Sequence, residues 1–156
     1  SLFARNKLIE AGTSLLLLPG AVQIFYGDET ARPGDTGFHW DQPTRSFMNW
    51  GSENQAVLSH WQKLGQFRAR HRAVGAGSHR KLQDSPYAFS RSLDGDTVVV
   101  VIGAGSSLQL DVSDAFADGT ALRDGYSGQS VTVSNGQVSL SDLTSPGVVL
   151  LERVIH

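Results

Sequence analysis

The stretch YAFSRSLDGDTVVVVI, residues 87–102, contains two apolar runs separated by Asp94-Gly95. The first run covers residues 87–93, and the second, rich in β-branched side chains, covers residues 97–102. Asp-Gly between two such runs is typical of a tight β-hairpin, because both residues tolerate the backbone conformation of a two-residue turn. The stretch therefore predicts two neighbouring antiparallel strands.

A second hairpin is predicted by VTVSNGQV, residues 131–138, because apolar and polar side chains alternate around Asn135-Gly136. The predicted strands are residues 87–93, 97–102, 108–112, 129–133, 137–140 and 148–154. Short, closely spaced antiparallel strands are typical of a sandwich. The sequence therefore predicts an all-β antiparallel sandwich over residues 77–156.

The first half of the chain carries a helix signal and then a strand signal. In residues 2–18 apolar side chains recur at helical spacing, and Pro19-Gly20 ends this run as a helix terminator does. Residues 22–26 (VQIFY) are β-branched and aromatic and are followed by Gly27, which predicts a short buried strand. Helix, Pro-Gly break and strand together indicate an α/β connection.

A long loop and a second helix follow. Residues 28–52 have no periodicity and combine Gly, Pro and aromatic residues, as functional or disordered loops do. Residues 53–73 return to helical spacing, and Ser52 is a suitable N-cap. We expect burial of Trp61 and Phe67 on this helix to offset the cost of about 1 kcal/mol that Gly65 imposes relative to Ala.

Composition and charge exclude several classes of function. The 156 residues contain 13 Lys and Arg against 15 Asp and Glu, a formal charge of −2, so no strong field attracts nucleic acid or an anionic membrane. No aliphatic run, residues 15–18 included, approaches the roughly 20 residues of a membrane-spanning helix. The absence of cysteine excludes disulfides and thiolate metal sites. We therefore expect a neutral partner, and neither a nucleic acid nor a membrane.

Three weak functional signals favour structural interpretations. GAGSSL, residues 103–108, lacks the third glycine and the helix of a dinucleotide fingerprint, so a β-turn is favoured. GYSGQ, residues 125–129, lacks the last glycine of a nucleophile elbow. His60 and His71 share a helix face, but a separation of about 16 Å along the helix is too long for one metal ion. No metal site is predicted.

Charged residues in two places also have structural interpretations. The basic run at residues 68–81 is best explained by cations that complement a helix dipole and by arginine stems that cover apolar surface. Asp28 and Glu29 follow the predicted strand, but adjacent side chains on an extended backbone point to opposite faces. This pair is therefore badly placed for catalysis that needs two facing carboxyl groups, and a capping or ion-pairing role is an equal alternative.

Three segments, taken in order, resemble the α-amylase family of glycoside hydrolases, family 13. LLLLPGAVQIFYGDE, residues 15–29, is similar to the last barrel strand of that family together with the end of the preceding helix. RSFMNW, residues 45–50, matches the family element Arg-x-x-Met-x-Trp, and residues 64–71 match Leu-x-x-Phe-Arg-x-x-His. The resemblance is strongest over residues 15–91 and is architectural beyond them.

The resemblance implies an α+β fold in two parts. Residues 1–76 would be the seventh helix, eighth strand and eighth helix of a catalytic (β/α)8 barrel, and residues 77–156 a Greek-key-type sandwich, the family's domain C. The family's nucleophile Asp, acid/base Glu and second Asp would all lie outside this chain, so no catalytic residue is expected here. The part of the substrate-cleft rim that remains would be Phe25, Tyr26, Gly27, Asp28 and Glu29.

For the whole enzyme, the resemblance implies retaining hydrolysis of α-1,4-glucosidic bonds in starch-type glucans through a covalent glycosyl-enzyme intermediate. We expect the chain alone to be inactive and to meet its α-glucan partner only through the whole enzyme. No cofactor is expected in this chain, and a calcium requirement stays open for the whole enzyme. The opening SLFAR, residues 1–5, has no initiator Met or cleavage site, so we expect an artificial or proteolytic start. The location stays open, with secretion or a periplasmic location expected for the whole enzyme.

Two alternatives remain. In the first, the chain is a non-catalytic sugar-binding β-sandwich module in which Trp40, Trp50 or Tyr126 stacks on pyranose rings. In the second, the whole enzyme is an α-glucosidase, a transglycosylase or an isomerase of the same family.

A lone barrel strand at residues 22–26 would expose unpaired backbone groups. We therefore expect roughly the first 50 residues to be disordered, repacked or paired with another copy, which would make self-association a further partner relation.

Overall fold

The computed structural model describes residues 7–34 and 42–154, in which three α-helices precede the strands. The helices are α1 (Leu8–Leu17), α2 (Gln55–Arg70) and α3 (Arg72–Ala76), with a short 3-10 helix at Gln42–Arg45. The strands are β1 (Ser78–Gln83), β2 (Tyr87–Leu93), β3 (Asp96–Ile102), β4 (Leu108–Asp111), β5 (Ala121–Asp124), β6 (Ser130–Thr132), β7 (Gln137–Leu140) and β8 (Val148–Arg153).

The strands form two antiparallel sheets. The large sheet has the order β1-β2-β3-β8-β5-β6, and β4 pairs with β7 in a second sheet. The chain leaves the large sheet after β3 to form β4 and returns to it for β5 and β6. It leaves again for β7 and then places β8 between β3 and β5. Asp94 and Gly95 join β2 to β3 with φ angles of 49° and 86°, and Leu93 pairs with Asp96. The predicted antiparallel sandwich and its Asp-Gly hairpin are confirmed.

The middle of the large sheet, at β2, β3 and β8, is buried on both faces, which explains the uninterrupted apolar runs of β3 and β8. Val99 and Val101 of β3 belong to the core between the two sheets. Val98 and Val100 belong to a second core, which the sheet shares with α1 and α2. Because successive side chains of a strand point to opposite faces, a strand covered on both sides needs apolar residues at every position.

The two long helices pack closely where α1 carries a glycine. The ring of Trp61 on α2 lies against Gly12, where an added Cβ would be 2.6 Å from the indole Nε1. The same Nε1 donates a hydrogen bond to the Leu8 carbonyl at 3.0 Å. Trp61, Leu64 and Phe67 are all buried, which confirms the predicted apolar face of this helix.

The bounds of the second predicted helix were wrong at both ends. Its N-cap is Asn54 and not Ser52, because the Asn54 side chain accepts hydrogen bonds from two backbone N–H groups of the first turn. The helix predicted over residues 53–73 stops before His71, which has extended backbone with φ −118° and ψ 96°. Asp96, far along the chain, accepts a hydrogen bond from the first turn of α3, a contact that helical spacing does not reveal.

The strand predicted at residues 22–26 is not formed. These residues have no strand pairing, and all but Val22 are exposed. A strand needs a hydrogen-bonded neighbour, and no described residue pairs with this segment as a strand. The helix predicted at residues 2–18 is confirmed as α1, although residues 2–6 lie outside the described residues.

Two strands were missed, and one hairpin is shorter than predicted. β1 and β5 contain many polar side chains and give no strong strand signal. Asn135 and Gly136 form the predicted turn with φ angles of 51° and 73°, and Ser134 bridges Gln137. Beyond this bridge β6 and β7 join different sheets, because their main pairings are with β5 and β4. The domain boundary between residues 76 and 77 stays a prediction.

Candidate functional site

A turn after α1 carries the predicted cleft-rim residues, which are Phe25, Tyr26, Gly27, Asp28 and Glu29. Gly27 has a φ of 91°, a left-handed conformation that favours glycine. Its carbonyl accepts a hydrogen bond from Arg32 N at 2.8 Å, and an added Cβ would collide with the Arg32 side chain. Position 27 therefore requires glycine both for its positive φ and for the lack of space for a Cβ.

Arg32 ties this turn to the segment around the 3-10 helix. Its guanidinium donates to the Thr44 carbonyl at 2.6 Å and to the Ser46 carbonyl at 3.1 Å. It also lies 4.4 Å from the centroid of the Tyr26 ring, and the Tyr26 hydroxyl donates to the Ser46 carbonyl at 3.0 Å. A planar guanidinium can bond carbonyls and stack on a ring at once, so Arg32 holds Tyr26 against residues 44–46.

The two acids of the turn have different surroundings. The Glu29 carboxylate accepts a hydrogen bond from Gly27 N at 2.9 Å and so closes the turn. Burial, followed by the charge of neighbouring Glu29, raises the pKa of the Asp28 carboxyl, and Arg32 opposes this shift. A carboxyl with a raised pKa can hold a proton for transfer. Glu29 is engaged with the backbone, however, so the pair does not offer two carboxyl groups facing each other across a cleft.

The aromatic residues considered as sugar platforms differ in exposure. Trp50 is 78% exposed, and the neighbouring Phe47 is 97% exposed. Tyr126 is half-buried, and the ammonium of Lys63 lies 4.7 Å from the centroid of its ring. Trp40 falls outside the described residues. Of the three predicted platforms, Trp50 is the one whose ring the structure shows to be freely accessible.

A buried polar cluster links α1, α2 and the turn after β5. His60 Nε2 lies 3.0 Å from the Ile9 carbonyl oxygen and 2.9 Å from Thr13 Oγ1, and Nδ1 lies 2.7 Å from the Tyr126 hydroxyl. Because a carbonyl only accepts, Nε2 carries the ring proton, and Nδ1 accepts from Tyr126. Burial lowers the pKa of His60; the bond to the Ile9 carbonyl opposes this shift, and Lys63 adds to it.

A second histidine, His71, joins the end of α2 to the large sheet. Its Nδ1 lies 2.7 Å from Asp96 Oδ1, and its Nε2 lies 2.6 Å from Glu152 Oε2. Glu152 also accepts hydrogen bonds from Arg70, and Asp96 accepts one from Ala73 N at 3.0 Å. The cluster borders an open cleft of about 530 Å³. The sequence did not reveal it, because the acids lie 25 and 81 residues from His71.

Arg68, at the start of the basic run, binds the end of α1. It donates hydrogen bonds to the Leu16 carbonyl at 2.8 Å and to the Leu18 carbonyl at 2.9 Å, and it also bonds the Gly20 carbonyl. The last carbonyls of a helix have no intrahelical donor, so a guanidinium placed there satisfies them. This contact supports the structural interpretation of the basic run.

The remaining sequence candidates lie in turns. Residues 103–108 connect β3 directly to β4 with no helix between them, and residues 125–129 form a turn around the buried Asp124. Asp124 accepts hydrogen bonds from the backbone N–H groups of Tyr126 at 3.0 Å and Leu150 at 2.8 Å. Within residues 7–34 and 42–154, no three His, Asp or Glu side chains group as metal ligands. None of the helices in that part combines the length and hydrophobicity needed to cross a bilayer.

Comparison with known proteins gives a clear relative. No protein-family model matches the chain. The periplasmic α-amylase of Escherichia coli (strain K12) is 52% identical over 101 residues, which is 62% of this chain and 15% of that protein. The chain therefore spans only a small part of the length of this relative.

Solved structures agree with this relation at the level of the fold. An Anoxybacillus α-amylase superposes with a TM-score of 0.71 at 24% identity, over 96% of this chain and 33% of that one. The α-amylase of Geobacillus thermoleovorans, solved with acarbose, superposes with a TM-score of 0.75 at 20% identity, over 97% and 34%. By sequence over 101 residues and by fold over nearly its whole length, the chain is similar to α-amylases, and its fold resembles their C-terminal regions.

Proposed function

We propose that the chain serves as the C-terminal region of an enzyme that hydrolyses the α-1,4-glucosidic bonds of starch-type glucans with retention of configuration. The observation that carries this proposal is the 52% identity to a periplasmic α-amylase over 101 residues. Because the chain spans 15% of that relative, the activity is assigned to a longer protein and not to these residues alone.

The chain by itself is proposed to be inactive. Retaining glycosidases use two carboxyl groups about 5 to 5.5 Å apart on either side of the scissile bond. Asp28 and Glu29 are chain neighbours in one turn, and the Glu29 carboxylate is bonded to Gly27 N. Release of reducing ends from starch tests this directly: we expect no turnover above buffer by the 156 residues and turnover by a longer polypeptide that adds upstream sequence. Measurable turnover by the short chain would overturn the proposal.

We propose that Tyr26 and its neighbours contribute one part of the substrate-cleft rim in the longer enzyme. Tyr26 is exposed, yet its position is held by Arg32 and by the Ser46 carbonyl. An ordered, accessible ring suits stacking on a pyranose. Tyr26→Ala in the longer enzyme should therefore raise KM for maltooligosaccharides. Tyr87→Ala, on β2 of the sandwich, is the matched control and should leave KM unchanged.

No cofactor is proposed for this chain, and any calcium requirement is assigned to the rest of the enzyme. In support, no three His, Asp or Glu side chains of the described residues are grouped so that they could hold a metal ion. Chelator treatment should therefore leave the melting temperature of the 156 residues unchanged. The reaction type within the family, whether hydrolysis, transglycosylation or isomerisation, is to be tested by product analysis of the longer enzyme.

A sugar-binding module without catalysis is a second candidate, and the exposure of Trp50 favours it. A free indole ring can stack on a pyranose, and Trp50 is 78% exposed while Trp61 is 4% exposed. Titration with maltooligosaccharides should shift the tryptophan emission if Trp50 binds sugar, and Trp50→Phe should abolish the shift. An unchanged emission would exclude Trp50 as the platform.

Self-association through residues 22–26 remains part of the proposal. This segment has no strand pairing, and Ile24, Phe25 and Tyr26 are exposed. Such a segment can pair with another chain through its backbone. Sedimentation velocity should show a concentration-dependent dimer that Ile24→Pro abolishes, since proline removes a backbone donor. A monomer at all concentrations would exclude it.

A further inference from the structure

Three parts of the fold meet at the ring of His60. The ring is carried by α2, its Nε2 side contacts Ile9 and Thr13 of α1, and its Nδ1 side contacts Tyr126 in the turn after β5. The imidazole is buried, and the Tyr126 ring lies edge-on to it with a centroid distance of 5.6 Å. His60 therefore connects both long helices to the β-sandwich through hydrogen bonds.

The hydrogen-bond pattern is fully satisfied by a neutral ring. Thr13 Oγ1 donates to the Ile9 carbonyl at 2.9 Å, so it faces His60 Nε2 as an acceptor. Nε2 then supplies the single ring hydrogen towards α1, and Nδ1 is left to accept from the Tyr126 hydroxyl. A second ring hydrogen would point at that hydroxyl, which would have to turn its own hydrogen away.

We propose that this junction is an acid-sensitive contact: the neutral His60 ring holds α1 and α2 against the turn after β5, and protonation at Nδ1 breaks the bond that Tyr126 donates and loosens the pair of helices from the sandwich. The change is local. It alters one hydrogen bond and adds one positive charge at a buried point where two layers meet.

The charged groups around the ring make the added charge unfavourable. On α2, Lys63 Nζ donates to the Tyr126 carbonyl at 3.0 Å and so sits on the same side as the new proton. In the turn, the Asp124 carboxylate is already bonded to backbone N–H groups, including that of Tyr126. On α1, Glu10 is exposed. No described carboxylate bonds to the His60 ring, so an imidazolium would meet an ammonium and no counter-charge.

The sign of the pH effect follows from burial. Burial lowers the pKa of His60 from its ordinary value of 6.5, so the unfolded chain takes up the proton at a higher pH than the folded chain does. The stabilisation that the neutral ring provides is therefore fully present above pH 6.5 and is lost as the pH falls from there through the lower folded value.

The test begins with the unaltered chain, so it does not depend on a variant that folds. Ring nitrogen-15 NMR at pH 8 should show the Nε2–H tautomer of His60. As the pH falls below the ordinary histidine value, amide hydrogen exchange should show loss of protection in α1 before β2 and β3. The Nδ1–H tautomer at pH 8, or α1 protection that follows that of β2 and β3 throughout, would overturn the proposal.

Three variants test whether the acid response depends on His60 and Tyr126. His60→Gln keeps an N–H donor for α1 but cannot take up a proton, so its α1 protection should no longer decline with acid once intrinsic exchange is subtracted. Tyr126→Phe removes the donor to Nδ1, so His60 should become protonated at a higher pH. His79→Gln, an exposed histidine on β1, should behave as the unaltered chain. The same acid decline in His60→Gln would overturn the proposal.

Discussion

Glu152 Oε2 lies 2.6 Å from His71 Nε2, and this contact joins the end of α2 to β8 across 81 residues of sequence. The same carboxylate accepts hydrogen bonds from Arg70 Nε at 3.2 Å and Arg70 Nη2 at 3.0 Å. His71 is also the residue at which the helix breaks before α3. The interruption between α2 and α3 therefore coincides with the side-chain network, and together they orient the helices on the large sheet.

Glu152→Gln tests the strength of this network. The substitution keeps the shape of the side chain but removes the charge that Arg70 and His71 share. We expect the free energy of unfolding to fall by about 1.5–3 kcal/mol in urea denaturation, the range for hydrogen bonds to charged groups. Asp84→Asn is the control, because Asp84 pairs with Lys81 at an exposed site and such pairs contribute little. Equal losses in both variants would contradict a special role for Glu152.

Trp61→Ala tests the packing of the helices. Trp61 is 4% exposed and its indole donates to the Leu8 carbonyl. Truncation should lower the free energy of unfolding by about 3–5 kcal/mol, as is typical for buried aromatic residues. Trp50→Ala, at an exposed site, should stay within about 0.5 kcal/mol of the unaltered chain. A Trp61→Ala loss as small as that of Trp50→Ala would show that the two helices do not depend on this ring.

Two glycine-to-alanine substitutions on helices should have opposite signs. At Gly12 the new Cβ would lie 2.6 Å from Trp61 Nε1, so overpacking of about 1–3 kcal/mol should outweigh the gain in helix propensity. At Gly65 nothing lies within 4 Å of the new Cβ, so Gly65→Ala should stabilise the chain by about 0.5–1 kcal/mol. Denaturant midpoints measure both, and changes of the same sign would contradict the close contact at Gly12.

Asp28→Asn should stabilise the chain in a pH-dependent way. Because burial raises the pKa of Asp28 above 3.8, the folded chain holds the proton to a higher pH than the unfolded chain, and stability is lost as the pH rises through the folded value. Asn cannot ionise, so the melting temperature at pH 7 should exceed that of the unaltered chain, and the difference should vanish below pH 3.8. Glu29→Gln should also raise the melting temperature at pH 7, but by less, since the charge of Glu29 is the second cause of the raised pKa of Asp28. A lower melting temperature for Asp28→Asn at pH 7 would refute this account.

Strands with a local signal were predicted closely. β2 and β7 match the predicted residues at both ends, because alternating side chains and a neighbouring Asp-Gly or Asn-Gly turn define them. β1 was missed because SHRKLQ is a polar edge strand, and what makes it a strand is its pairing with β2. Polar and charged side chains on an edge also protect it from pairing with other chains, which hides the strand from an apolar pattern.

The candidate site was less accessible to prediction. The cleft-rim role of Phe25, Tyr26, Gly27, Asp28 and Glu29 stays a prediction from the resemblance alone, and their arrangement depends on Arg32, which the sequence did not single out. From the sequence, His60 is a candidate only as a metal ligand, whereas His71 also belongs to the basic run and to the family pattern at residues 64–71. The structure shows one bonded to Tyr126 and the other placed between Asp96 and Glu152, and none of these partners lies on the same helix.

Local chemistry was sufficient to place α1, the apolar face of α2 and the turns at Asp94-Gly95 and Asn135-Gly136, because each depends on residues within a few positions along the chain. Contacts between distant residues settled the rest. They assign β6 and β7 to different sheets and leave residues 22–26 without a strand partner. They also place a hydroxyl and a carbonyl beside His60 but two carboxylates beside His71. The environment of a side chain is formed by atoms that the fold brings together, and spacing along the sequence does not reveal those atoms.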